Sequence, residues 1–174
     1  LLVETMAQLA SPACLIDGLA TEEEVAAFEA LAGPFAVALH LQVTREAFEA
    51  RLPERDGAAG DYFDDQDRSL DDGEVAARLS SFEAETGGLL ASLAASGRLR
   101  GISAAAPMGT VVSQAAGVLT GIGSPSYKPP PVAAVLVLGG AGSGTGTVCA
   151  QLSQRLGCGH INMATLPYEA AAAG

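Results

Sequence analysis

Residues 139–147, GGAGSGTGT, follow directly on an apolar run at 132–138 and lead into a stretch with helical spacing that closes near Gly157. Few folds accommodate that order. Glycine at 139, 140, 142, 144 and 146 lets the backbone curl so that successive N–H groups point inward, and the helix that follows turns its positive end toward the same spot. Strand, glycine loop and helix in that order are the unit of a parallel sheet, and the spacing G-x-x-x-x-G with a hydroxyl residue beyond it is that of a phosphate loop. The residues expected to line it are Gly139, Gly140, Gly142, Ser143, Gly144, Thr145, Gly146 and Thr147. The position that should carry a lysine is Thr145, and the only lysine of the chain is Lys128. A threonine can hydrogen-bond a phosphate oxygen without neutralising it. Loss of one preorganised electrostatic contact costs on the order of 10²–10³ in rate, so binding can outlive catalysis.

The remainder of the chain repeats the alternation. An apolar run at 13–16 (ACLI) is followed by Asp17-Gly18, and Thr21 with Glu24 forms a capping box ahead of Val25, Phe28 and Leu31. Residues 35–43 (FAVALHLQV) read as a second buried strand and Thr44 as the cap of a further helix. An acidic loop at 56–72, with aspartates at 61, 64, 65, 67, 71 and 72, reads as a solvated segment. A long helix is expected over 73–96, bent at Gly87-Gly88 and closed by Gly97. Residues 98–104 read as a third strand, 107–119 as a helix, 147–156 as the helix after the glycine loop, and 159–163 as a last strand. The expected fold class is therefore α/β, a three-layer parallel sheet of the phosphate-loop type with helices on both faces, incomplete as given.

Charge divides the chain. Of 20 acidic and 9 basic groups, 19 and 7 lie in residues 1–118, and the net charge is −11. This balance argues against nucleic acid or an anionic membrane as a partner, since both want clustered Lys and Arg. The longest apolar runs fall far short of the roughly 18 residues of a membrane span. Cys14, Cys149 and Cys158 are odd in number and lack metal-ligand spacing, so no metal site is expected and a reducing compartment fits best. Cys149, Cys158 and His40 read as core residues, and Arg98 and Arg100 as surface charges. The segment 120–131 (TGIGSPSYKPPP) is rich in Pro, Gly and Ser and reads as an extended linker between two parts.

Several stretches together resemble the nucleoside monophosphate kinases, adenylate kinase in particular. GGAGSGTGTVCAQLSQRLGCGHI resembles that family's phosphate loop, first helix and second strand, with His160 where members often carry a histidine. Asp17-Gly18-Leu19-Ala20-Thr21 resembles the Asp-Gly-Phe-Pro-Arg motif, in which the aspartate supports the Mg²⁺-water shell. FAVALHLQVTREAFEARLPER and DRSLDDGEVAARL resemble the segments flanking the lid, which puts Arg55, Arg68 and Arg78 near phosphate-binding arginines, the last two with a one-residue shift. RLRGISAAAP resembles the last core strand. The family's order is reversed here, which leaves two readings: a circular permutation, or the end of one kinase-like domain joined to the start of the next. We take the second, with residues 1–119 as a C-terminal half, 120–131 as the linker and 132–174 as the phosphate-loop half of a following domain, both ends looking cut.

The resemblance implies ATP or ADP with Mg²⁺ as the ligand. Three cationic positions are nevertheless neutral: Thr145 for the loop lysine, Thr21 for the arginine of the Asp-Gly motif, and Tyr168 for the monophosphate-binding arginine. Phosphoryl transfer rests on positioning and charge neutralisation. The resemblance therefore implies a non-catalytic kinase-like module. Its setting would be a cytoplasmic scaffold in a large assembly such as the axoneme of cilia and flagella, with other subunits and the rest of a longer chain as partners. An active monophosphate kinase and a nucleotide sensor are the alternatives.

Overall fold

The structure is a computed structural model and describes residues 2–8, 11, 13–47, 72–122, 133–140 and 142–166. Its strands are β1 (Ala13–Asp17), β2 (Val37–Gln42), β3 (Leu99–Ser103), β4 (Ala133–Gly139) and β5 (Gly159–Asn162). Its helices are α1 (Leu2–Gln8), α2 (Glu22–Ala32), α3 (Asp72–Ala95), α4 (Met108–Ile122) and α5 (Thr145–Leu156). All pairings are parallel, in the order β3-β2-β4-β1-β5.

Period-two alternation sorts the strand residues onto two faces. Cys14, Ile16, Ala38, Leu136 and Leu138 point into one core with Val25 and Phe28 of α2 and Leu89 and Leu93 of α3. Leu15, Leu39, Leu41, Val135 and Val137 point into the other, with Val111 and Ala115 of α4 and Val148 and Leu152 of α5. The architecture is the expected three-layer α/β sandwich. Among the described residues no helix is long and apolar enough to cross a membrane.

The expected division into halves does not match the sheet. β4 sits at its centre, with Ala133–Val137 in register with Ala13–Asp17 on one side and Val135–Gly139 with Val37–Leu41 on the other. The described residues from 133 to 166 thus share a sheet and two cores with the segment before 119. Thr120, Gly121 and Ile122, expected in the linker, belong to α4, and the pairing that distinguishes a crossover connection from an interdomain linker is long-range. Residues 123–132 lie outside the described residues, as does the acidic loop up to residue 71.

Local signals fared better. Thr21 caps α2 as expected: its hydroxyl accepts from the Glu24 N–H at 3.2 Å, and the Glu24 carboxylate accepts from the Thr21 N–H at 3.1 Å. Three differences have physical causes. Leu31 is 77% exposed, because steps of three from Val25 through Phe28 rotate it out of the buried face, and Ala32 packs inward instead. α3 runs unbroken through Gly87-Gly88, where an added Cβ at Gly88 would stand 3.4 Å from the Glu22 carboxyl group. Arg98 is no ordinary surface charge: it pairs with Glu29, which also accepts from the Phe35 N–H at 3.1 Å, tying the end of α2 to the start of β3. Arg100 donates to the carbonyls of Gly97 and Leu99, both at 2.8 Å, and so covers part of the β3 edge.

Candidate functional site

The connection leaving β1 crosses β4 to reach β2, and the connection leaving β4 crosses β1 to reach β5. Adjacent central strands therefore send their helices to opposite faces, α2 into one core and α5 into the other. The carboxyl ends of such a pair form the crevice in which open α/β sheets take ligands. What stands there is Asp17 at the end of β1 and the glycine loop at the end of β4.

The loop is closed by a hydrogen bond from the Ser143 N–H to the Gly140 carbonyl at 3.1 Å. Gly144, with φ 78° and ψ 27°, lies in the left-handed region and starts α5 without a side-chain cap. Gly139 has to be glycine for a different reason: an added Cβ would stand 2.3 Å from Ser143 Oγ and 2.9 Å from Thr145 Cγ2, well inside contact distance. α5 begins at Thr145, two residues before the expected start, and the first helical N–H to find a carbonyl is that of Val148, on Gly144 at 2.9 Å. The N–H groups of Thr145, Gly146 and Thr147 precede that first helical bond, as they must at any helix start, an arrangement that favours anions in general. Ser143 is 2% exposed, and among the described residues its hydroxyl has no hydrogen-bond partner.

Alternation along β1 sends Asp17, like Leu15, toward α5. Asp17 is 7% exposed. Burial pushes its pKa up to about 6, against the hydrogen bond it accepts from the Thr145 hydroxyl, which acts in the opposite direction. The residue in the lysine position is thus engaged with a carboxyl group, and Gly146 is close enough that an added Cβ would stand 3.8 Å from Asp17 Oδ2. Behind Asp17 the Met163 N–H donates to the Asp17 carbonyl at 2.8 Å, fixing the end of β1 against the turn after β5.

The expected site residues divide into three groups. Asp17, Gly139, Gly140, Gly142, Ser143, Gly144, Thr145, Gly146 and Thr147 come together at the crevice. Thr21 is committed to capping α2. Arg55, Arg68 and Tyr168 lie outside the described residues, and of Arg78 only its place in α3 is described. The three arginines whose partners are described face elsewhere: Arg98 to Glu29, Arg100 to the β3 edge, and Arg155 to the Ser113 hydroxyl at 3.1 Å.

One association escaped the sequence reading. Single ligand-type atoms of Asp17, Cys149 and His160 lie within 4.8 Å of one another. Cys149 is four residues beyond Thr145, one helical turn, so it shares the sheet-facing side of α5, and His160 stands opposite Leu15 on the same face. The helical spacing of Thr145 and Cys149 was the available signal. Cys149 is fully buried, and burial, with Asp17 and Cys158 adding to it, pushes its thiol well above the usual range. That makes it a thiol and a poor nucleophile. His40, by contrast, lies on the other face beside Phe82, ring centroids 6.2 Å apart, with its pKa lowered by burial.

Fold and site define a class: a parallel α/β protein with a lysine-free glycine loop at its switch point. No protein-family model, curated protein or solved structure matches the chain.

Proposed function

We propose that the protein is a non-catalytic, kinase-like module that holds phosphate through loop backbone and serves as a structural part of a larger assembly, the axoneme being the setting suggested by the resemblance. The observation that carries this reading is that Thr145, in the lysine position, sits against the buried Asp17 carboxyl group, whose pKa its hydroxyl lowers. At the position where the resemblance wants a cation, a neutral hydroxyl is bound to a carboxyl group. Charge on a transferring phosphoryl group would meet backbone dipoles and an acid there, whereas phosphoryl transfer needs cations around the phosphates. Binding is less demanding, because curled N–H groups and a helix start attract an anion without a side chain. The buried Ser143 hydroxyl supports that half of the reading, since an anion's oxygen would supply the partner it lacks.

The test is a coupled assay of the conversion of two ADP into ATP and AMP, run with the protein and with Thr145→Lys. Neither is expected to turn over within about tenfold of the typical enzyme value of roughly 10 s⁻¹. Turnover at that level by the unaltered protein would establish the monophosphate kinase instead. Tight ATP binding without turnover would favour the nucleotide sensor.

A further inference from the structure

We propose that Asp17, Cys149 and His160 form a binding site for one thiophilic divalent cation of the zinc type, clamping α5 to the sheet beneath the glycine loop. The three groups come from β1, α5 and β5, converge within 4.8 Å, and include one sulfur, one nitrogen and one oxygen donor. In a tetrahedral zinc site with bonds of about 2.0–2.3 Å, neighbouring donors stand about 3.5 Å apart. The donors therefore have to close by roughly an ångström on binding. Thiolate and imidazole select zinc or cobalt over magnesium or calcium, which take oxygen donors. The Thr145 hydroxyl on Asp17 fills the role of an outer-shell partner that orients a ligating carboxylate.

Charge supports the same conclusion. Once the metal is bound, a carboxylate and a thiolate lie buried together, and the cations whose partners are described, Arg98, Arg100 and Arg155, are engaged elsewhere. A divalent ion balances both anions. On coordination the sulfur–metal bond replaces the S–H bond of Cys149 and the proton leaves to solvent, with no change of oxidation state. His160 is the partly exposed member of the three. The inference is independent of nucleotide binding and survives the failure of that reading.

Cobalt(II) is the probe. Added to the reduced, chelator-treated protein, it is expected to bind one per chain, with an intense near-ultraviolet sulfur-to-cobalt charge-transfer band and the visible bands of a tetrahedral ion, all bleached by zinc and unaffected by magnesium. Cys149→Ser should abolish the charge-transfer band, Cys158→Ser should keep it, and His160→Gln should weaken binding at least tenfold. Zinc at a hundredfold excess over its dissociation constant should raise the Tm of the unaltered protein by roughly 5–10 °C. No charge-transfer band in the unaltered protein would overturn the site, a result that requires no variant to fold. So would a band that persists in Cys149→Ser, or one lost in Cys158→Ser.

Discussion

The two faces of the sheet are built from different stock. Against α1, α2 and α3 the filling is large: Met6, Phe28, Phe35, Leu89 and Leu93, with the rings of Phe28 and Phe35 stacked at 4.4 Å. Against α4 and α5 much of it is small: Ala104, Val111, Val112, Ala115, Ala116, Val148 and Cys149. Small side chains let a helix approach its sheet closely, and the polar residues that matter, Asp17, Thr145 and His160, are gathered on that side. One face secures the fold through apolar volume, and the other gives up some of that volume to hold chemistry. The crevice between β1 and β4 lies where the two meet.

The contrast has measurable consequences. The largest expected effect is on the bulky face, where Phe35→Ala should lower stability by about 3–5 kcal/mol, read as a fall in the denaturant midpoint with the slope unchanged.

The next effect is electrostatic and belongs to the other face. Asp17 has its pKa raised from 3.8 to about 6, so the folded state binds the proton more tightly than the unfolded chain. Its contribution is fully present below pH 3.8 and is lost as pH rises through about 6. Between pH 4 and 7, with a chelator present, the protein should lose up to about 3 kcal/mol relative to Asp17→Asn. Parallel stability curves for the two proteins over that range would show that Asp17 is solvated rather than buried.

Overfilling separates the faces further. Ala115 is fully buried between α4 and the sheet, and Ala115→Leu should cost about 1–3 kcal/mol by forcing α4 outward, whereas a face with slack would absorb it. Smallest is the cap of α2: Thr21→Ala should cost about 1 kcal/mol, measurable by thermal melting, and should leave the loop on the other face untouched.

What could be read in the sequence follows the range of the interactions. The capping box at Thr21 and Glu24, the apolar runs that became β1 and β4, and the glycine loop are all decided by neighbours a few residues apart, and they stand where expected. The place of β4 between β1 and β2 is decided by pairs such as Leu15 with Val135 and Val37 with Val135, far apart in the chain, and no local pattern carries it. The crevice was half legible. Thr145 was recognisable as the missing lysine, but its bond to Asp17 and the approach of Cys149 and His160 depend on that same long-range pairing.

Amide chemical shifts recorded while ATP, pyrophosphate and adenosine are titrated in turn would decide whether the lysine-free loop still holds phosphate. ATP and pyrophosphate should move the amides of Gly140, Gly142, Ser143, Gly144, Thr145 and Gly146 in fast exchange, saturating only in the millimolar range, while adenosine leaves them in place. Submicromolar saturation by ATP would mean that cations from elsewhere complete the site. Loop amides indifferent to all three compounds would mean that the glycine loop is only a turn between β4 and α5.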